Sequence, residues 1–234
     1  MSLRMILFDL DGTLVQTRDA SWRVFEKVNR RFDLGVNSAE AFYALSEGNL
    51  FAGLREKCGD DARAKEVKDY FFDLLLSEYR PPVIPGMRNV VLSLAAIYPL
   101  SVVSSNAMGA IRHVLDDASL TQCFGHVFSG DVEPDKERAI QKVLGDPSYG
   151  LGRRGTPGYD ESAGNHTGDV VLITDTIGDV KAAIAAGARA VGVSWGMHSP
   201  TQLESAGAEF VAVWPEELLI HFREGSSLDR AARR

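Results

Sequence analysis

The sequence predicts an α/β protein: a mainly parallel sheet covered on both faces by helices, with an all-helical segment inserted after the first strand. Three observations carry this. From residue 83 onward, short apolar runs alternate with helical stretches. Between Val15 and Arg80 no strand pattern occurs. At the start, the apolar run Met5–Phe8 stops at Asp9 and a glycine-containing turn, Leu10-Asp11-Gly12-Thr13. Alternating strands and helices imply parallel pairing, since each crossover returns a helix over a sheet face.

The elements follow in order. Met5–Phe8 reads as a buried strand. Thr17 to about Leu34 places Trp22, Phe25, Val28 and Phe32 on one helical face, with Thr17 or Asp19 able to cap it. Ser38–Leu45, Leu50–Cys58 and Asp61–Tyr79 also read as helices. The prolines of Arg80–Gly86 end this block. Helices then follow over Met87–Ile97, Ala107–Leu115, Pro134–Leu144, Asp179–Ala186, Pro200–Ala206 and Pro215–Arg223. Between them lie strands at Leu100–Val103, Val127–Ser129, Val170–Thr174, Ala190–Val193 and Phe210–Val213. The expected domains are a discontinuous core, 1–15 with 83–234, and a helical segment, 16–82. The polar tail Glu224–Arg234 is expected to fray.

Composition narrows the class. With 45% hydrophobic and 24% charged residues among 234, the chain is ordinary for a globular protein. A net charge of −7 argues against a general nucleic-acid binder. No apolar run approaches the roughly 20 residues that span a bilayer, so no membrane association is expected. No signal peptide is visible, and the two isolated cysteines, Cys58 and Cys123, suit a reducing cytoplasm.

In an open parallel sheet, ligands sit beyond the carboxyl ends of the strands. Asp9 and Asp11 follow the first apolar run, two residues apart on an extended backbone. Paired carboxylates there repel and lose hydration, which a divalent cation or a shared proton would offset. A polar strand end and turn is the ordinary alternative. Ser104, Ser105 and Asn106 follow the next strand; they read as a helix cap or as an anion site at a helix start. Lys136 lies in the first turn of a helix, where its charge opposes the dipole and adds nothing to helix stability. Asp175 and Asp179 read as a helix cap and first-turn acid, which the dipole favours, or as site residues. All four sets fall on one rim, and that the ordinary readings do not explain.

With these residues in view, the chain resembles the haloacid dehalogenase-like hydrolase superfamily. Four motifs match in order: Asp9–Thr13 (DLDGT), a strand ending in Ser104, Lys136 before a helix, and Asp175–Asp179 (DTIGD). Ala182–Gly196 (AAIAAGARAVGVSWG) is similar to the phosphoglycolate-phosphatase-like branch. The resemblance implies a three-layer α/β/α Rossmann-like core with a helical cap, and Mg²⁺-dependent phosphoryl transfer. It makes Asp9 the nucleophile that becomes an aspartyl-phosphate, and Asp11 the acid and then the base. Ser104 and Lys136 would bind the phosphoryl group, with Ser105 and Asn106 beside them. Asp9, the Asp11 carbonyl and Asp175 would hold magnesium, with Asp179 behind them. Three departures stand out: Thr174 replaces a common glycine, Gln16 a common aspartate, and EPDKERAI stands where KPxP is usual.

The expected function is a phosphohydrolase acting on a small phosphorylated metabolite, as monomer or homodimer. A phosphomutase is the nearest alternative, but Ser21 and Trp22 occupy the region where its cap group, commonly a His, would stand. Asp11 argues against a dehalogenase, which has no use for the acid. A non-catalytic scaffold would lose an acid, and none is missing. Arg18, Arg23, Asn49 and Arg55 are the cap candidates for substrate recognition. Gly145–Gly168, with seven Gly and two Pro, is expected to be a flexible loop at the amino ends of the strands, without a catalytic part.

Overall fold

The computed structural model describes residues 3–46, 50–160 and 169–222. Its described residues divide into two compact units, one running up to Val15 and on from Val83, the other Gln16–Pro82.

The first unit is built on six parallel strands: β1 (Leu3–Phe8), β2 (Leu100–Ser104), β3 (Phe124–Ser129), β4 (Asp169–Thr174), β5 (Arg189–Val193) and β6 (Phe210–Ala212). Their spatial order is β3-β2-β1-β4-β5-β6. We number the helices α1 (Thr17–Phe32), α2 (Ala39–Ser46), α3 (Leu50–Cys58), α4 (Asp61–Glu78), α5 (Met87–Ala95), α6 (Met108–Asp117), α7 (Lys136–Gly145), α8 (Ile177–Ala186) and α9 (Pro200–Ser205). Residues 215–222 are helical as well.

The topology decides which helix covers which face. The crossovers β1→β2 and β2→β3 step one way along the sheet; β3→β4, β4→β5 and β5→β6 step the other. Right-handed crossovers therefore send α5 and α6 to one face and α7, α8 and α9 to the opposite one. The core bears this out. Met5 and Leu7 pack with Ile140 and Val143 of α7, Val180 and Ala183 of α8, and Leu203 of α9. Ile6 and Phe8, equally buried, alternate to the other side. Strands buried on both faces need continuous apolar runs, which MILF and VVLI supply.

The second unit consists of α1 to α4. Phe25 stacks on Phe42 with ring centroids 4.6 Å apart and meets Phe71 edge-on at 6.0 Å. Asp60 caps α4 by accepting from the Arg63 N–H. Two of the arginines named above as recognition candidates have local partners: Arg55 pairs with Asp61 at 2.6 Å, and Arg18 lies over the Tyr43 ring. Arg23 is exposed on α1. Asn49, like the tail Glu224–Arg234, lies outside the described residues.

Two expectations need correction. Strand β3 begins at Phe124 rather than Val127, because Gly125 and His126 hide an apolar pattern that pairing with β2 nonetheless enforces. The glycine-rich stretch is not structureless where it is described. Pro147–Gly150 forms a 3₁₀ turn and Gly152 pairs with Asp160. Tyr149 meets His126 edge-on at 5.0 Å while Tyr159 stacks on it at 5.5 Å. The stretch packs on Gly125 and Pro99, at the amino ends of β3 and β2. Residues 161–168 lie outside the described residues. No described helix is long and apolar enough to cross a membrane.

Candidate active site

The chain leaves β1 and β4, neighbours in the sheet, in opposite directions, so a crevice opens between their carboxyl ends. Asp9 directly follows β1 and Asp175 directly follows β4. Asp9 is tied to the neighbouring strand by its own N–H, which donates to the Ile173 carbonyl at 2.9 Å. Both aspartates are buried.

Lys136 enters this crevice from α7. Asp135 caps that helix by accepting from the Glu137 and Arg138 N–H groups, so Lys136 is its first residue. Its Nζ reaches Asp9 Oδ1 at 2.8 Å and Asp179 Oδ2 at 2.6 Å. One ammonium thus serves two carboxylates. Burial raises the Asp9 pKa well above the usual carboxylate range; Lys136 opposes this, while Asp179 and Asp175 add to it. Burial alone would lower Lys136, yet its two acidic partners outweigh that and raise it. Asp179 goes the other way: burial would raise it, and Lys136 holds it down. Lys136 thus forms ion pairs with both Asp9 and Asp179 inside the crevice.

Asp11 lies at the rim. Asn106 Nδ2 donates to its Oδ2 at 3.3 Å, while Asn106 Oδ1 accepts from the Ala107 N–H at 2.9 Å. Ser104 is buried, and its Oγ accepts from the Asn106 N–H at 3.1 Å. The helix-cap reading of Ser104–Asn106 is not what the fold uses, since the residue flanking α6 is Ala107. Ser105 is exposed at the rim. Its carbonyl lies where a Cβ on Gly130 would fall, and the Gly130 N–H donates to the Asn106 carbonyl at 2.9 Å. The loops after β2 and β3 are thereby joined.

Asp175 is held by the Thr13 hydroxyl at 3.3 Å on Oδ1 and the Met197 N–H at 2.8 Å on Oδ2. Burial pushes its pKa up to about 6, against the Met197 bond. The cap of α8 is Thr176 rather than Asp175, while Asp179 stands in the first turn of that helix. Among the described residues, no three His, Cys, Asp or Glu side chains group to hold a metal. The set implied by the motifs is different: two carboxylates and the Asp11 carbonyl.

Asp9, Lys136, Asp11, Ser104 and Asp175 thus lie together around the carboxyl ends of β1, β2 and β4. The chain belongs to the haloacid dehalogenase-like hydrolase family, whose model matches residues 6–193. It is 26% identical over 223 residues, 88% of each chain, to a protein of Dickeya dadantii (strain 3937) named "Probable phosphatase IndB". Among solved structures it is similar to a predicted phosphatase from Clostridium acetobutylicum, with a TM-score of 0.73 at 21% identity, covering 95% of this chain and 98% of that one. It is also similar to a HAD family hydrolase from Deinococcus radiodurans R1 with bound phosphate and sodium, with a TM-score of 0.61 at 21% identity, covering 96% of each chain.

Two parts of the site escaped sequence reasoning. Thr174 looked like a departure, yet its buried hydroxyl donates to Asp179 Oδ2 at 3.0 Å. The Ser194–Ser199 loop reaches the site mainly through main-chain N–H groups, which carry no residue signature.

Proposed function

We propose that the protein is a Mg²⁺-dependent phosphohydrolase that cleaves a small phosphate monoester through an aspartyl-phosphate on Asp9. The observation that carries this reading is the pairing of a buried Asp9 with Lys136 at 2.8 Å. A carboxylate is a weak nucleophile and gains most from fixed position and a neutralised target.

The residues fit a divalent cation. Two buried carboxylates, Asp9 and Asp175, both have raised pKa values, Asp9 partly because of Asp175. Hard oxygen donors of this kind suit Mg²⁺. Asp9, Asp175 and the Asp11 carbonyl would hold it, and when bound it would screen phosphate charge from the attacking carboxylate.

In this reading an Asp9 oxygen forms a bond to phosphorus as the ester P–O bond breaks. Asp11 gives its proton to the leaving alkoxide oxygen. Lys136 and Ser104 stabilise the equatorial phosphoryl oxygens, the main electrostatic contribution in such transfers. Asp11, now a carboxylate, takes a proton from water. The water oxygen bonds to phosphorus, the Asp9–phosphorus bond breaks, and inorganic phosphate leaves. Asn106 holds Asp11 in place through both steps.

The names of the relatives support phosphate chemistry, and the phosphate bound to the Deinococcus radiodurans structure agrees with it. A screen of phosphorylated metabolites, read as free phosphate with Mg²⁺ or with EDTA, tests the reading. Free phosphate equal to substrate lost, only with metal, is expected. Isomerised product without phosphate release would favour a mutase. Undiminished hydrolysis in EDTA would remove the metal from the account.

A further inference from the structure

Asp175 is enclosed by groups that take no part in the chemistry above. Thr13 donates its hydroxyl hydrogen to Oδ1, and the Met197 N–H donates to Oδ2. The Thr13 carbonyl in turn accepts from the Trp195 indole N–H at 3.0 Å. The His198 N–H donates to the Asp175 carbonyl at 3.2 Å. One loop after β5 therefore grips both the Asp175 carboxylate and the loop after β1 that carries Asp9 and Asp11.

Gly196 sharpens the point. A Cβ there would overlap the Asp175 carboxylate. Its backbone lies outside the left-handed region, so conformation alone does not demand glycine. What excludes a side chain is the carboxylate itself. Gly12 faces the same carboxylate from the opposite loop, and there a φ of +75° also favours glycine. Two glycines thus leave a slot one carboxylate wide, and two donors fix how that carboxylate turns in it.

We propose that Trp195, Gly196 and Met197 form a clamp that sets the orientation of Asp175 and thereby the affinity of the site for a divalent cation. This rests on the reading of Asp175 as a metal ligand. A carboxylate offers about four lone-pair sites. One on each oxygen is taken by Thr13 and Met197, so the remaining ones point in fixed directions. Hydrogen bonds behind a ligand set metal affinity by about 10–100-fold. The clamp residues are positioning residues: they touch Asp175 or Thr13, not the reacting atoms.

The test is Mg²⁺ titration by calorimetry on the purified full chain, comparing wild type, Gly196→Ala and Trp195→Phe. Turnover is measured against Mg²⁺ concentration in parallel, with melting temperatures as the control for folding. Gly196→Ala should weaken Mg²⁺ binding about 10–100-fold. Trp195→Phe keeps an aromatic ring but loses the indole N–H and its one neutral hydrogen bond, so about three- to tenfold is expected. In both, kcat should recover at saturating Mg²⁺. A purely structural loop would lower the melting temperature and leave the Mg²⁺ Kd unchanged; that result overturns the clamp while the metal reading stands. Wild type that does not bind Mg²⁺ overturns both. If Gly196→Ala fails to fold, Trp195→Phe decides, and an unchanged Kd there counts against the clamp.

Discussion

Thr174 holds Asp179. Its hydroxyl donates to Asp179 Oδ2 at 3.0 Å while accepting from the Thr176 N–H at 3.2 Å. The same Asp179 oxygen meets Lys136 at 2.6 Å, and Lys136 meets Asp9 at 2.8 Å. A chain of contacts therefore runs from a buried hydroxyl to the proposed nucleophile. Its first member, Thr174, stands where the family resemblance leads one to expect glycine.

Thr174→Val should lower kcat/KM, and Thr174→Ser should restore it. A hydrogen bond to a charged acceptor contributes about 1.5–3 kcal/mol. Felt fully at the transition state, that corresponds to a loss of roughly 10–100-fold. Inhibition by inorganic phosphate should weaken in the Val variant, since Lys136 would be less well placed. If Val lowers only the melting temperature and leaves kcat/KM and phosphate inhibition unchanged, the hydroxyl is structural alone.

How much of this was legible beforehand depends on what kind of interaction carries each part. The helix Leu50–Cys58 and the body of the first strand could be read directly, because burial of one face or both leaves a period in the sequence, although that strand begins at Leu3 rather than Met5. The rim acids could be read because strand ends in a parallel sheet are where charge has a use. Strand β3 was read too short, since Gly125 and His126 owe their strand conformation to the neighbouring β2. The folding of residues 147–160 was not legible either. It depends on Tyr149 and Tyr159 closing on His126, more than twenty residues earlier in sequence, and long-range aromatic contacts leave no local pattern. Met197 contributes an N–H that almost any residue would offer.

The salt bridges at the edge of the sheet give a stability prediction. Glu209 accepts from Arg189 Nε at 2.7 Å and Nη2 at 2.6 Å, and lies 3.3 Å from His221 Nε2. Burial would raise its pKa, but hydrogen bonds from His221 and Arg189 outweigh it and bring it to about 2. A folded pKa below the ordinary value stabilises the native state above the ordinary pKa, and that stabilisation is lost as pH falls towards the folded value. The difference in melting temperature between wild type and Glu209→Gln should therefore be steady above about pH 5. It should shrink as pH falls from there towards 2. Thermal melts across this range check it; a difference that grows on acidification would show that the pairing does not carry the effect.

The most direct test of the account is to find the phosphate on Asp9. Rapid acid quench during turnover with ³²P-labelled substrate and Mg²⁺ should leave label on the protein. It should be released by hydroxylamine, as an acyl phosphate is, and borohydride reduction should convert Asp9 to homoserine in the matching peptide. Asp9→Asn should carry no label and turn over at least a hundredfold more slowly, a loss of about 2.7 kcal/mol or more. Phosphate release with no label on Asp9 at any quench time, or an Asp9→Asn protein within about tenfold of wild type, would contradict it.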